Sequence, residues 1–365
     1  NYCVPLADAG NEFLILAPKP FGGVANAPTH KNIEIIWLPS FPLPSYKDYL
    51  VAYLFPPSAK KKLNAFYPEV IHIHTPFFVA KQGLEYAQKK RIPAIGTFHT
   101  LLTEFLEYLP LPMKELKKSP VMEKLTWKYL QHFYRKCTIL TTPTPAIAME
   151  LESHGFKRVH VLTNGIDYEL FSCVKAKKSK DKKTKLVFHG RISFEKRLDV
   201  VLEALSLLTE KFPQLELHII GNGPAENSLK SLAHELEISK KVRFVGPMPS
   251  GSAALASEVR SKDFLVTASP METQGLNVLE AMAAGLLVIG ANARAIPIAI
   301  GKNERGLLFE PGNAQDCARQ IEKAIKNPAL CKKLTTAAKK YSKQFDKKLV
   351  AKKLLELYES VAANR

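Results

Sequence analysis

Twelve short apolar runs, six in each half of the chain, constrain the fold more than any other feature of the sequence. "NEFLILAP", "IEIIWLPS", "EVIHIHTP", "PAIGTFHT", "CTILTTPT" and "RVHVLTNG" come first, and "TKLVFHGR", "LELHIIGNG", "VRFVGPM", "DFLVTASP", "LLVIGAN" and "RGLLFEPG" follow. Each is β-rich and mostly apolar, and helical patterns such as "AKQGLEYAQKK" lie between several of them. Such strands belong in parallel sheets covered on both faces, because a sheet with one wet face alternates apolar and polar residues. Two sets predict an α/β protein of two doubly wound, Rossmann-like domains. A length of 365 residues agrees, since it exceeds what one core usually holds. The predicted domains are residues 1–166 and 185–342, joined by a lysine-rich linker over 167–184. A C-terminal helix over 343–365 is expected to pack back toward the first domain.

Composition excludes some classes. The mean hydropathy of -0.09 is that of an ordinary globular chain, and no run approaches the roughly 18 to 20 apolar residues of a spanning helix. The opening "NYCVPLADAGNEFLILAP" has no basic leader and reads as the second half of a helix, a turn at Gly10 and a strand. The natural start, with a first strand, is therefore expected to precede Asn1. Five scattered cysteines suit reduced thiols in a cytoplasm. The net charge of +18 raises nucleic acid or an anionic membrane as partners. However, the segment from Phe171 to His189 holds seven lysines and one aspartate, and so concentrated a surplus reads as a solvated connector. Nucleic acid is not expected, and the oligomeric state is left open.

In open α/β sheets ligands bind beyond the carboxyl ends of strands, so the candidate chemistry lies there, in a cleft between the domains. "HGRISFEKRLDVVLEAL" carries Gly190 for a tight turn, then Arg191, Lys196 and Arg197 ahead of a helix. Cations at a helix N-terminus oppose its dipole, which makes a bound diphosphate the better explanation. In "FLVTASPMETQGLNVLEAMAAG" the free amides near Gly275 and Leu276 form an anion site at a helix start. Glu280 follows at a reach suited to a ribose. Glu272, in the turn, is placed to accept from sugar hydroxyls and to stabilise charge growing at an anomeric carbon. Thr273 and Gln274 of the same turn, and Gly221 and Gly223 of "GNGPAE", complete the expected donor set.

Those two glutamates, seven residues apart in the frame S-x-x-E-T-Q-G-L-x-x-L-E-A-M-A-x-G, resemble the signature of retaining glycosyltransferases of family four. "HGRISFEKRLDVVLEAL" is similar to the same family's donor-diphosphate motif, with Arg191 and Lys196 at the matching positions. "VLTNGIDYELF" resembles its interdomain connection. The likeness covers nearly the whole chain, and the combined motifs are highly specific. It implies the GT-B fold and transfer of a hexose from a nucleotide diphosphate sugar with retention, by same-face attack guided by the leaving phosphate. UDP-glucose is the first expected donor and GDP-mannose the second. The catalytic set would be His99, Glu272, Arg191 and Lys196. No cofactor beyond the co-substrate is expected. The chain lacks Asp-x-Asp, so a metal-clamped diphosphate is disfavoured. The family's glycine-rich loop would precede Asn1, and the usual Gly-x-Pro-Val after the helix is here Gly285-Leu286-Leu287-Val288.

"HIHTPFFVAKQGLEYAQKKRIPAIGTFHTLLTEFLEYLP" resembles the subgroup that glycosylates lipids, notably diacylglycerol glucosyltransferases, with phosphatidylinositol mannosyltransferases as cousins. The likeness implies that His99 faces the donor sugar from the first domain and that His74 and Thr75 lie on the acceptor side. Read from the residues alone, His72 and His74 serve structure or function equally well. Two segments suit an anionic bilayer. "PSYKDYLVAYLFPPSAKKKLNAFYP" combines aromatics with Lys47 and Lys60 to Lys62. "MKELKKSPVMEKLTWKYLQHFYRK" sets Trp127, Tyr129, Phe133 and Tyr134 among Lys114, Lys117, Lys118, Lys124, Lys128, Arg135 and Lys136. Their other reading is a pair of amphipathic helices packed on their own domain. A cytoplasmic, membrane-peripheral glycolipid enzyme is the resulting expectation. The alternatives are a transferase with a non-lipid acceptor, a nucleotide-sugar epimerase and a non-catalytic nucleotide-sugar binder.

Overall fold

The structure is a computed structural model and describes residues 2–20, 27–43, 46–99, 119–176 and 183–363. The chain divides into two compact units, residues 1–163 with 348–365, and residues 164–347. Its strands are β1 (Phe13–Pro18), β2 (Ile33–Leu38), β3 (Ser40–Leu43), β4 (Tyr46–Ala52), β5 (Ile71–Ile73), β6 (Ala94–Thr97), β7 (Ile139–Thr142), β8 (Val159–Val161), β9 (Thr184–His189), β10 (Leu215–Ile220), β11 (Val242–Gly246), β12 (Phe264–Thr267), β13 (Leu287–Ala291) and β14 (Leu307–Phe309). All twelve apolar runs are strands.

In the second unit six parallel strands take the order β11-β10-β9-β12-β13-β14. Chain order reverses between β9 and β12, so the crevice for a ligand opens at their carboxyl ends. Alternation along β9 shows how both faces are filled. Leu186 and Phe188 enter one core with Leu217, Ile219 and Val201, and Val187 enters the other with Leu265, Val278 and Met282. The residues expected to be a linker begin inside this unit. Phe171, in the helix Tyr168–Cys173, is completely buried in the second core, and burying an aromatic ring of that size stabilises by about 2–3 kcal/mol. Lys183 meets Glu216 at 2.5 Å beside the start of β9. The connector reading thus falls on the stretch around residues 177–182, outside the described residues.

The first unit is also parallel α/β, as its runs predict, with its parallel strands in two groups. β5-β6-β7-β8 form a parallel sheet in simple order, and β1-β2 form a separate parallel pair. The first supposed membrane segment is a strand and a helix: β4 pairs antiparallel with β3, and the helix Pro57–Phe66 follows. In the second segment the helix Pro120–Tyr134 turns Trp127, Phe133 and Tyr134 into the core, against Leu84, Phe98 and Phe156. Those aromatics are therefore unavailable to a bilayer. The exposed apolar side chains are Val121, Leu125 and Tyr129, four residues apart on one helical face. Lys114, Lys117 and Lys118 lie outside the described residues. The last helix, Lys347–Ala363, packs Ala351 and Leu354 on Leu6, Phe13 and Leu162 of the first unit.

Candidate functional site

At the carboxyl end of β9 the chain turns at Gly190 (φ 138°). The next loop, after β10, runs backbone to backbone against it. Ile192 N–H donates to Asn222 O at 2.8 Å and Gly190 N–H to Ile220 O at 3.0 Å. A Cβ on Gly221 would stand 1.9 Å from Gly190 O, and one on Gly223 2.2 Å from Ile192 O. These glycines are thus demanded by loop-on-loop packing, whatever else they touch; the donor role expected of them has to share that constraint.

The packed loops fix the cations. Lys196 closes a short 3-10 turn, Phe194–Lys196, and its Nζ meets Glu272 Oε1 at 2.7 Å, with the two side chains only 17% and 13% exposed. Arg191 lies at the rim, 42% exposed, with Glu195 3.5 Å away. Arg197 is placed otherwise than expected. It adopts a left-handed backbone and closes a two-point pair with its neighbour Asp199 at 2.9 to 3.1 Å.

After β12 the turn Ser269–Gln274 leads to Gly275 (φ 73°), which starts the helix Leu276–Ala284. Glycine opens and closes this helix, and Gly285 (φ 83°) ends it with N–H bonds to Ala281 O and Met282 O. Val278, Leu279, Ala281, Met282, Ala283 and Ala284 are all buried, so the helix is walled by apolar contacts nearly all round. Its start has no side-chain cap, and no acceptor among the described residues takes the N–H of Gly275 or Leu276. Two orphan donors, the positive helix end and Lys196 meet where an anion would bind.

The two polar side chains of that helix both turn to His189, a residue that sequence reasoning passed over. Asn277 Nδ2 donates to His189 O at 3.2 Å, and Glu280 Oε2 lies 3.7 Å from His189 Nδ1. Burial, with Asp167 as a lesser influence, pushes the Glu280 carboxyl up to about 8. Burial drives the His189 imidazole down to about 4. The directions agree on a neutral acid beside a neutral ring, and 3.7 Å is too long for a strong ion pair. His189 Nε2 and Thr267 Oγ1 are buried without a partner, both at strand ends of the crevice. A histidine closing an apolar strand ahead of a glycine turn was the signal available.

Gln274 was expected to face the donor, and its amide is engaged elsewhere. Its Oε1 accepts from Asn164 N at 2.7 Å and from Asn164 Nδ2 at 2.9 Å, and its Nε2 donates to Asn164 O. It therefore anchors the "TNG" segment to the site turn. Thr273, half-buried, adjoins Glu272 in that turn.

In the first unit, His72, His74 and His99 form a row at the ends of β5 and β6. His74 Nδ1 and His99 Nε2 are 2.9 Å apart, their rings stack at 5.2 Å, and the His72 ring lies tilted at 34° against His74 with centroids 4.2 Å apart. Burial lowers His99 to about 4. The crowding of protein atoms and the neighbouring His99 lower His74, although one face of it is open to solvent. Thr75, beside it, is exposed. Among the described residues no group of histidine, cysteine and carboxylate side chains could hold a metal ion, and no helix is long and apolar enough to cross a membrane.

Comparison with known proteins follows the same division. Residues 3–170 match the profile described as Glycosyltransferase Family 4, and residues 174–341 match that of Glycosyl transferases group 1. Among curated proteins, the chain is 24% identical over 95% of its length to sulfoquinovosyl transferase SQD2 of Arabidopsis thaliana, spanning 66% of that protein. It is 25% identical over 96% of its length to alpha-monoglucosyldiacylglycerol synthase of Acholeplasma laidlawii, spanning 89% of it. Among solved structures, sucrose-phosphate synthase from Thermosynechococcus elongatus superposes with a TM-score of 0.80 at 18% identity, covering 99% of this chain and 92% of that one. That likeness shows the GT-B-like fold of two parallel α/β sheets. The paired profiles, together spanning nearly the whole chain, place it in the retaining glycosyltransferase family four, whose members transfer a sugar from a nucleotide-sugar donor.

Proposed function

We propose that this chain moves a hexose, glucose from UDP-glucose in the first instance and mannose from GDP-mannose in the second, to a hydroxyl group of a membrane lipid such as diacylglycerol. The observation that carries the donor half is the half-buried Lys196–Glu272 pair beside the uncapped start of the helix Leu276–Ala284. Lys196, Arg191 and the Gly275 and Leu276 amides receive the diphosphate. Glu272 orients the hexose, Glu280 with His189 holds the ribose, and His99 is assigned to the hexose from the first unit. The acceptor hydroxyl attacks the anomeric carbon on the face the diphosphate leaves. The new C–O bond forms as the bond to the phosphate oxygen breaks, and the hydroxyl proton passes to that oxygen. Preorganised donors of this kind contribute a few kcal/mol each to the transition state.

The lipid half is supported by the likeness to a glucosyldiacylglycerol synthase and by the exposed Val121, Leu125 and Tyr129 beside Lys124 and Lys128. A helix face of that make-up suits an anionic interface, and the reading assigns its action to the inner face of the membrane. His74 and Thr75, at the end of β5, are assigned to the acceptor side.

The test offers UDP-glucose, UDP-galactose and GDP-mannose to the chain with diacylglycerol or phosphatidylinositol in anionic vesicles, and a soluble sugar as the control acceptor. Glycolipid should form from one donor, and Glu272→Ala should lower turnover about 100-fold or more, the scale of losing one transition-state contact. Undiminished turnover in Glu272→Ala would falsify the site. Transfer only to the soluble sugar would remove the lipid acceptor and leave the donor site standing.

A further inference from the structure

The last helix of the chain brings a tyrosine to the histidine row. Tyr358 OH and His72 Nδ1 are 2.7 Å apart, with the tyrosine ring edge-on to the imidazole at 5.6 Å. His72 Nε2 is 2.5 Å from Thr97 Oγ1, Thr97 Oγ1 is 2.6 Å from Thr141 Oγ1, and Thr141 Oγ1 donates to Gly96 O at 3.3 Å. Thr97 and Thr141 are buried, so each hydroxyl depends on its protein partners.

The end of this chain sets its direction. Gly96 O is a carbonyl and only accepts, so Thr141 gives it its hydrogen and accepts from Thr97. Thr97 then accepts from His72 Nε2–H, and the remaining His72 Nδ1 accepts from the Tyr358 hydroxyl. Every donor is used once, and His72 is held neutral as the Nε2–H tautomer. His72 in turn backs His74 through a tilted ring contact at 4.2 Å, and His74 holds His99 through the Nδ1–Nε2 bond.

We infer that Tyr358 and His72, through His74, are positioning residues that fix the ring plane of His99, making the C-terminal helix a working part of the sugar-handling site of the first unit. This rests on the reading that His99 meets the hexose, and it moves His74 from acceptor contact to support. A helix that only closed the fold would need apolar contacts such as those of Ala351 and Leu354; a tyrosine hydroxyl at the head of a polar chain does more. A row of neutral rings suits sugar hydroxyls, which both give and take hydrogen bonds.

The experiment uses the full chain with 15N-labelled histidine imidazoles, together with steady-state turnover. At pH 7 His72 should show the shifts of an Nε2–H tautomer. Tyr358→Phe, which keeps the ring and deletes the hydroxyl, should shift the His72 resonances. It should lower kcat about tenfold, the scale on which a supporting hydrogen bond acts, with the KM for donor unchanged. His74→Ala should do the same to kcat. His74→Asn, whose side-chain amide stands where Nδ1 stood, should restore most of it. If Tyr358→Phe alters neither the His72 resonances nor kcat while His99→Ala abolishes turnover, the inference is overturned and the site reading survives. If His99→Ala itself leaves turnover intact, both fall together. Should Tyr358→Phe fail to fold, the contrast between His74→Ala and His74→Asn decides alone.

Discussion

At the ends of its strands the second unit presents ions and bare amides, whereas the first presents neutral rings and hydroxyls. Lys196, Glu272, Arg191 and the start of the helix Leu276–Ala284 crowd one crevice. His72, His74 and His99, with Thr97 and Tyr358, occupy the other unit's strand ends and bond to one another. A fixed positive field grips a diphosphate and discriminates poorly among sugars. Neutral rings and hydroxyls, which give and take single hydrogen bonds, do the reverse. On the proposed function the first chemistry suits the diphosphate and the second suits sugar hydroxyls, and the contrast can be broken at several points.

The largest effect is expected at the packed glycines. Gly221 has φ 141°, and a Cβ there would stand 1.9 Å from Gly190 O, so Gly221→Ala must push the β10 loop off the β9 loop. Backbone strain and the clash together should destabilise the second unit by about 3–5 kcal/mol. Urea unfolding followed by circular dichroism reads it, and donor binding should disappear in parallel. A Gly221→Ala chain of normal stability would mean that the ion site does not depend on the loop contact.

Acidity separates the units next. Ordinary histidine and glutamate side chains titrate near 6.5 and 4.5. His99 is lowered to about 4, and His74 moves the same way. Between roughly pH 6.5 and 4 the unfolded chain thus binds more protons than the folded one, and the first unit loses stability as pH falls through that window. Glu280 is raised to about 8 and His189 lowered to about 4, so their opposite proton balances offset one another below about pH 6.5; between roughly pH 6.5 and 8 the folded chain binds more protons, and the second unit loses stability as pH rises. Both tryptophans, Trp37 and Trp127, lie in the first unit, so their fluorescence reports it alone. Its urea midpoint should drop on acidification from pH 6.5 to 4 and stay flat above. Glu280→Gln should erase the opposite slope in the circular dichroism of the whole chain. A fluorescence midpoint that is flat below pH 6.5 would mean the histidine row carries charge after all.

How much of this was legible beforehand divides along the same line. The strands were readable because a buried parallel strand leaves a continuous apolar run. The ion site was readable because Glu272, Gly275 and Glu280 sit within nine residues of one another, where the backbone alone sets their spacing. The hairpin β3–β4 was hidden, since its prolines, aromatics and lysines resemble an interfacial segment. For Trp127 the sequence left a bilayer face and a packed amphipathic helix both open, and the core holds it. Gln274 and Asn164, 110 positions apart, and His72 and Tyr358, 286 apart, pair only through the tertiary fold, and no local pattern announces such a partner.

The smallest effect uses the same substitution in the other unit and should carry the opposite sign. Gly83 lies in the interior of the helix Phe78–Lys90, with no heavy atom within 4 Å of a built Cβ. Its backbone is helical already, so an added methyl group meets nothing and strains nothing. Alanine there reduces the freedom of the unfolded chain and should stabilise the helix by about 0.5–1 kcal/mol. Tryptophan fluorescence in urea should show a small rise in midpoint with an unchanged slope, and donor binding in the second unit should not move. If Gly83→Ala lowered the midpoint, the helix would be making a close contact on that face, and the surface beside Phe78 would have to be redrawn. If it altered donor binding, the two units would be coupled through more than the chain that joins them, and a separate account of ions in one and neutral rings in the other would fail.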